Sequence, residues 1–415
     1  MDKRNLTATV LVAALTSIAF AGEPIPFQTE SERSSFASLD RIAAADERPA
    51  EELPRGRVIN VVFQKPAAER SEAPAPAVAS VRQGAAAAQD AKGAVTIVPG
   101  SPVSISGAGF GDKATAPPLI YMPVNVGEPA KASELGQLQK WNGVENFEAK
   151  TVDGRATLVG KAGSGVWTLR LDRELKPGEV MYASFWLNRS FDVGTSQTNN
   201  FKIFRAWSEP GKKPNIYDAP NNGRVYVEDI TGSGMYYKAP AEPKNQWMFV
   251  QIEFRPSATD KKEGFYKRYT GGDLLAAKMD TTMFATRTSK ADAPIRTIFP
   301  VHQVAANMGR WKDPAWDKSN TVLVRDVYVD IASPGKGAEI RSPKDTAVPR
   351  VIVTDAKTMS ASKKFDVLPV KAWKDGRVDV QMVLPNFKAG DNAFLHIVND
   401  HNRWSDPVPF KVGAR

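Results

Sequence analysis

The sequence predicts an all-β fold. From Val95 onward, apolar runs of strand length recur at short intervals, among them GVWTLRL, VMYASFWLN, NFKIFRAW, WMFVQIEFR and VLVRDVYVDI. Gly, Pro, Asn and Asp bound these runs, which is the punctuation of turns. Helical periodicity is weak, and only ASELGQLQKW and GDLLAAKM read as short helices. Many short strands between turn signals indicate sandwiches or jelly rolls.

The N-terminus comes first in order. Lys3 and Arg4 precede the apolar LTATVLVAALTSIAF, and Ala19-Phe20-Ala21 fits a small-x-small cleavage site, so residues 1–21 read as a secretory signal peptide. The apolar stretch is short for a membrane span and no later run is long enough, so no stable membrane insertion is expected. The chain has no Cys, which excludes disulfides, thiolate metal sites and lipid attachment through an N-terminal Cys. An exported chain without disulfides suits a bacterial periplasm or exterior. Residues 22–93 are rich in Pro, Ala, Glu and Ser and nearly free of aromatics, and read as a disordered linker that cannot offset its ordering entropy. VINVVFQ, Val58 to Gln64, is the one stretch there that could add as an edge strand.

The net charge of +9 favours anionic partners, but it is spread along the chain. No Lys/Arg run marks a nucleic-acid tail, and no nucleic acid is expected as partner.

Within the β region, alternation sorts residues to two faces. In VMYASFWLN, Met181, Ala183, Phe185 and Leu187 share one face, and Tyr182, Ser184, Trp186 and Asn188 the other. In WMFVQIEFR, Met248, Val250, Ile252 and Phe254 alternate with Trp247, Gln251, Glu253 and Arg255. A non-core face with Tyr, Trp and Asn suits sugar, since rings stack on rings while amides and charges take hydroxyls. The other reading is that loops cover Tyr182 and Trp186 as part of a second core layer, because exposed Trp is uncommon. In NFKIFRAW, strict alternation puts Lys202 and Arg205 on opposite faces, so both can serve one groove only if a bulge intervenes.

The segments FWLNRSF, NNFKIFRAW, NQWMFVQIEFR and VLVRDVYVD make the region 121–332 resemble the concanavalin A-like lectin/glucanase superfamily, in its laminin-G-type jelly-roll form. The resemblance implies lectins, glycoside hydrolases, polysaccharide lyases or adhesion modules. Catalytic signatures of these enzymes do not appear. The E-x-D-x-E spacing that puts two carboxylates on one strand face is missing, and Glu228 and Asp229 fall on opposite faces. R-[ST]-E-L-R, Q-[IV]-H and Y-F-K-A-G of jelly-roll alginate lyases are missing too, and PVHQV has His302 before Gln303. A lyase of another family needs a base and a cation, and His302, Tyr182, Lys202, Arg205 and Arg296 could supply them. Asp313 and Asp317 read better as a polar loop than as calcium ligands, so no metal and no cofactor are expected.

TIVPGSPVSISGAGFGDK resembles the opening of immunoglobulin-like IPT/TIG modules through Val103, Ile105, Gly107, Gly109, Phe110 and Gly111. The elements that follow in such modules lie at the C-terminus: Trp373, Val378, Val380, Pro385, Gly390, Leu395, Ile397, Val398, Asn399, Ser405 and Phe410 fit in order, after the strand PRVIVTD. The expectation is one immunoglobulin-like sandwich, residues 94–120 and 336–412, split by an inserted jelly roll. Insertion at a surface turn is physically easy. The strand over Val103–Ser106 should then pack with strands after Arg350. The rival arrangement is two separate modules.

The expected function is a secreted carbohydrate-binding protein for an anionic or neutral polysaccharide or glycoconjugate, with Tyr182, Trp186, Asn188, Lys202, Arg205 and His302 as ligand contacts. Two alternatives stay open: a polysaccharide lyase or hydrolase of an unfamiliar jelly-roll family, and a structural or adhesive surface protein. Oligomeric state is left open.

Overall fold

The structure, a computed structural model, describes residues 73–83, 95–122, 141–142, 147–160, 166–171, 173–191, 200–207, 215–221, 224–228, 234–238, 242–289, 294–303, 321–333 and 339–415. The chain divides at Pro49/Ala50, and all described residues lie in the larger unit, Ala50–Arg415. The signal-peptide segment, VINVVFQ, most of ASELGQLQKW, and Asp313 and Asp317 fall outside them.

In chain order the strands are β1 (Ala77–Gln83), β2 (Thr96–Ile97), β3 (Pro102–Ala108), β4 (Ile120–Tyr121), β5 (Trp141–Asn142), β6 (Phe147–Val152), β7 (Arg155–Gly160), β8 (Val166–Leu171) and β9 (Val180–Arg189). Next come β10 (Asn200–Lys202), β11 (Phe204–Trp207), β12 (Asn215–Asn221), β13 (Arg224–Glu228), β14 (Gly234–Lys238), β15 (Met248–Arg255), β16 (Phe265–Thr270), β17 (Asp273–Leu274), β18 (Arg296–Gln303) and β19 (Val322–Ala332). The last are β20 (Arg350–Thr354), β21 (Phe365–Val367), β22 (Val370–Lys374), β23 (Arg377–Gln381), β24 (Asn392–Val398) and β25 (Val408–Val412). The fold is all-β. GDLLAAKM, expected as a helix, is instead the short β17 followed by one 3₁₀ turn over Ala277–Asp280.

Four sheets form two sandwiches. Sheet I runs β1-β3-β23-β22 and sheet II runs β2-β25-β24-β20-β21. Between them lies a core with Val103, Ile105, Phe110, Val351, Val353, Val378, Val380, Leu395 and Ile397. Sheet III runs β17-β16-β15-β9-β19-β7-β6 with β4 on β19, and sheet IV runs β14-β13-β12-β11-β18-β8-β5 with β10 on β18. Their shared core holds Met181, Ala183, Phe185, Leu187, Val250, Ile252, Phe254, Phe204 and Ile216.

Strand β3 pairs antiparallel with β23, Val103 opposite Val380 and Ile105 opposite Val378. The Val103–Ser106 strand thus lies against chain from beyond Arg350, as its pattern requires. Ile120, placed with the smaller sandwich by sequence, instead pairs with Val329 of sheet III.

The glycine turn after β3 is clasped by the C-terminal half. Asp375 accepts from the amides of Phe110 (through its carbonyl, 3.3 Å) and Gly111 (through Oδ1, 3.0 Å). Trp373 Nε1 donates to Gly111 O at 3.0 Å, and Asn399 Nδ2 to Gly109 O at 3.1 Å. Gly109 and Gly111 have φ of 71° and 73°, a conformation that favours glycine, and Phe110 between them is buried in the core.

One correction concerns the linker. Ala77–Gln83, inside the segment read as disordered, is strand β1 on the outer edge of β3. Its composition is poor in apolar surface, but the ladder to β3 supplies its backbone bonds and Val81 reaches the core. A Cβ on Gly107 would collide with the carbonyl of Ala77, so the two strands are in close contact there.

Candidate functional site

Sheet III has the alternation the sequence predicts, but its outer face is not a groove. Tyr182 and Trp186 are buried among Phe249, Phe265, Tyr328, Ile352, Phe365 and Val398, the last three from sheet II or its edge. Trp186 meets Phe249 at 5.3 Å between ring centroids, and Phe249 stacks on Phe365 at 4.9 Å. The smaller sandwich therefore covers the face expected to hold sugar. Tyr182 and Trp186 do lie in a second core layer, but strands of the smaller sandwich cover them where loops were expected, and they are corrected as ligand contacts. Asn188 sits half-buried farther along the same strand face.

This seam is charged as well as apolar. Glu253, with no exposed side-chain surface, contacts Lys267 at 2.5 Å and Arg350 at 2.8 Å. Lys267 Nζ also donates to the carbonyls of Pro343 (2.8 Å) and Thr346 (2.9 Å). The Arg350 guanidinium lies 4.2 Å over the Tyr182 ring, whose hydroxyl donates to Gln251 Oε1 at 2.8 Å. Burial pushes the Tyr182 phenol up to about 12, although Arg350 pulls the other way. Lys113, just past the glycine turn, contacts Asp330 of β19 at 2.5 Å. These buried pairs lie within the seam between the two sandwiches.

Sheet IV carries the other sequence-predicted residues. The chain bends at Ile203, between β10 and β11. Phe201, Ile203, Phe204 and Ala206 all belong to the core between the sheets. Two consecutive residues facing inward shift the alternation by one, so Lys202 and Arg205 share the outer face; the bend does the work of the bulge that a common groove requires. Lys202 Nζ lies 4.8 Å from the centroid of the Tyr217 ring, and Tyr217 is directly opposite Arg205 in the β11–β12 ladder. Lys202, Arg205 and Tyr217 are each 2 % exposed. At that burial the cations are little screened by water, which raises the value of a carboxylate contact.

Register extends this face. Trp207 pairs with Arg296 and with Asn215, so these three fall in one row, two residues from the row of Arg205 and Tyr217. Ala219, two residues on from Tyr217, leads along its row to Tyr226 and Tyr236, and the next such row joins Asn221, Arg224 and Lys238. Arg170 lies opposite Ile298, itself opposite Arg205. His302 is opposite Phe201, whereas Lys202 is opposite Val301, so His302 and Lys202 occupy alternate rows. The six expected contacts are therefore divided: Tyr182, Trp186 and Asn188 on sheet III, Lys202, Arg205 and His302 on sheet IV.

Sequence reading missed Tyr217 and Asp218. The signal was present in NIYDAPN, where Asn215, Tyr217, Ala219 and Asn221 alternate with Ile216 and a lone Asp218. Asp218 is fully buried on the core side. Its Oδ2 accepts the Tyr266 hydroxyl at 2.5 Å and lies 3.2 Å from Arg268 Nε, and Arg268 Nη2 contacts Glu242 at 2.5 Å. Among the described residues no group of three or more His, Asp or Glu side chains is placed to hold a metal ion.

No family model and no curated protein matches the chain. Among solved structures, it is similar to the alginate lyase Aly36B in complex with an alginate trisaccharide, at 10% identity and TM-score 0.37, over 52% of this chain and 99% of that one. It is also similar to an endo-β-1,4-glucuronan lyase from the fungus Trichoderma reesei, at 11% identity and TM-score 0.36, over 56% of this chain and 99% of that one. A third is the botulinum neurotoxin serotype D binding domain, at 14% identity and TM-score 0.31, over 62% of this chain and 65% of that one.

Proposed function

We propose that this chain is an exported carbohydrate-binding protein that recognises an anionic polysaccharide on the outer face of sheet IV. The jelly roll would be of the concanavalin A-like kind, carried by an IPT/TIG-like host sandwich. The observation that supports the reading is the bend at Ile203, which gathers Lys202 and Arg205 on one face beside Tyr217. Paired cations take carboxylates, and an aromatic surface takes the apolar face of a sugar ring. The three side chains are 2 % exposed, so binding on this face requires them to become accessible. The test is binding of polymannuronate or polygalacturonate against neutral dextran. Binding of the uronates alone, weakened by salt and by Lys202→Ala with Arg205→Ala, is expected; equal binding of dextran, or no effect of the two changes, sinks the reading.

The contact of Lys202 with Tyr217 favours a second reading, a polysaccharide lyase. In β-elimination a base takes the C5 proton of a uronate, that electron pair forms the C4=C5 bond, and the C4–O bond breaks with its pair going to the leaving oxygen, which is then protonated. Lys202 beside Tyr217 offers a cation for the carboxylate and a phenol for the proton. Growth of absorbance from the new double bond on incubation with polyuronates would establish it, and its absence with all of them would leave binding alone.

A further inference from the structure

We infer that Asp218 is the positioning residue of the Lys202–Arg205–Tyr217 face, holding it from behind through both its backbone and its carboxylate; this rests on the proposed binding role of that face. The backbone half of the argument is the bend itself. Asp218 O accepts the amide of Ile203 at 2.9 Å, and Asp218 is opposite Phe204 in the ladder. The same residue thus fixes Ile203 and Phe204, the two consecutive inward residues that bring Lys202 and Arg205 to one side. Asp218 also directly follows Tyr217 in β12, so any shift of Asp218 moves the ring beneath Lys202.

The side-chain half crosses the core. Tyr266 and Arg268 come from β16 in the opposite sheet, and they grip the Asp218 carboxylate. Arg268 continues to Glu242, whose carbonyl accepts from Arg189 Nη2 at 3.1 Å. The chain of contacts ties the site strand to β9 and β16, the rigid strands of sheet III. Around it the packing is apolar: Phe204 stacks on Tyr266 at 5.1 Å and meets Phe254 at 5.1 Å. A leucine would fill such a place at no desolvation cost, and buried ion clusters are often no better for stability than apolar replacements. A carboxylate here serves direction, since its bonds fix where β12 sits relative to β16.

The cluster is also titratable in a useful range. Burial pushes the Asp218 carboxyl up to about 6, against the pull of Arg268 and the Tyr266 hydrogen bond, with Glu242 adding to the rise. The titratable groups that face it are Tyr266 and Arg268 from β16, Glu242 from the segment before β15, and Tyr237 from β14, whose phenol is raised by burial and by Asp218. Because burial raises this carboxyl despite Arg268, the stability it carries is lost as pH rises through about 6, so the hold on Ile203 should loosen over that rise and level off above it.

Two variants test the assignment: Asp218→Asn, and the apolar triple Asp218→Leu/Tyr266→Phe/Arg268→Met, which keeps a packed core. Hydrogen exchange of the Ile203 amide is followed in the ligand-free full chain from pH 5 to 8, corrected for intrinsic rates, alongside polymannuronate affinity and melting temperature. Faster Ile203 exchange in both variants, loss of the wild-type change near pH 6, and affinity lower by about tenfold or more are expected, with both variants still melting cooperatively. Unchanged Ile203 exchange and affinity in a wild type whose binding needs Lys202 and Arg205 would overturn the assignment. If binding does not need those two residues, the binding role fails separately, and the exchange of Ile203 alone decides whether Asp218 positions the bend.

Discussion

Replacing Glu253 with alanine should destabilise both sandwiches together. Glu253 is the carboxylate between Lys267 and Arg350, and all three side chains are at or near zero exposure. Its removal leaves two cations in the seam. Removing one member of a buried, paired set costs ~3–5 kcal/mol, because the remaining charge has lost its compensation. Lys267 keeps the Pro343 and Thr346 carbonyls, and Arg350 keeps the Val348 carbonyl at 2.9 Å and the Tyr182 ring. Those contacts set the expectation at the lower end, about 3 kcal/mol. At ~2.1 cal/mol/K per residue over roughly 340 residues the unfolding entropy is ~0.7 kcal/mol/K, so the midpoint should fall by roughly 4 °C. Calorimetry at pH 7 reads this directly, and urea unfolding gives the free energy independently. The acid side checks the mechanism. Burial pushes the Glu253 carboxyl upward, but Lys267 and Arg350 more than offset it and hold it below its ordinary 4.5. A depressed carboxyl contributes stability above its unfolded value and loses it as pH falls through the folded one, so wild type and variant should converge in acid. A loss under ~1 kcal/mol, or a gap that persists in acid, would refute the account of the seam.

Three further outcomes are expected. Asp366 is buried near Asp326, and burial first, then that neighbour, raises its carboxyl well above the usual range. Its stability contribution is full below the unfolded value and is lost as pH rises through the folded one, so Asp366→Asn should gain ~1 kcal/mol or more at pH 8 and nothing at pH 3, read by urea unfolding. Phe110→Ala, at a fully buried site, should cost ~3–5 kcal/mol in the same assay. Gly107→Ala should detach β1, seen as new protease cleavage within Ala77–Gln83 while β3–β23 amides stay protected.

The sandwich pattern was legible because period-two alternation is a local property: Met181 to Leu187 and Met248 to Phe254 line the core as their spacing requires. The pairing of β3 with β23 was legible for another reason, the completeness of the strand pattern at the C-terminus set against its absence after Lys113. The site was read less well. Alternation says that Tyr182 and Trp186 leave the core, but it does not say what meets them there, and the answer was another sandwich. Strand β1 was missed because composition measures burial and not the offer of an open ladder. The Ile203 bend turns on one inter-strand hydrogen bond to Asp218, which no local pattern in NFKIFRAW encodes.

The pairing of β3 with β23 has a consequence for biosynthesis. Ser104 and its cross-strand partner Asp379 are 275 residues apart in sequence. During synthesis β3 emerges long before β23, and at ~5–20 residues per second it waits on the order of 15–50 s with one side of its ladder unfilled. Strand β1, made just before it, can occupy the opposite side from the start. An unfilled strand edge is a template for pairing with other chains. The intervening strands of sheets III and IV have their partners within the insert, apart from the seam, and can close first. Completion of the smaller sandwich would then be the slow step, and the chain would be most prone to aggregate in the interval before its last fifty residues arrive.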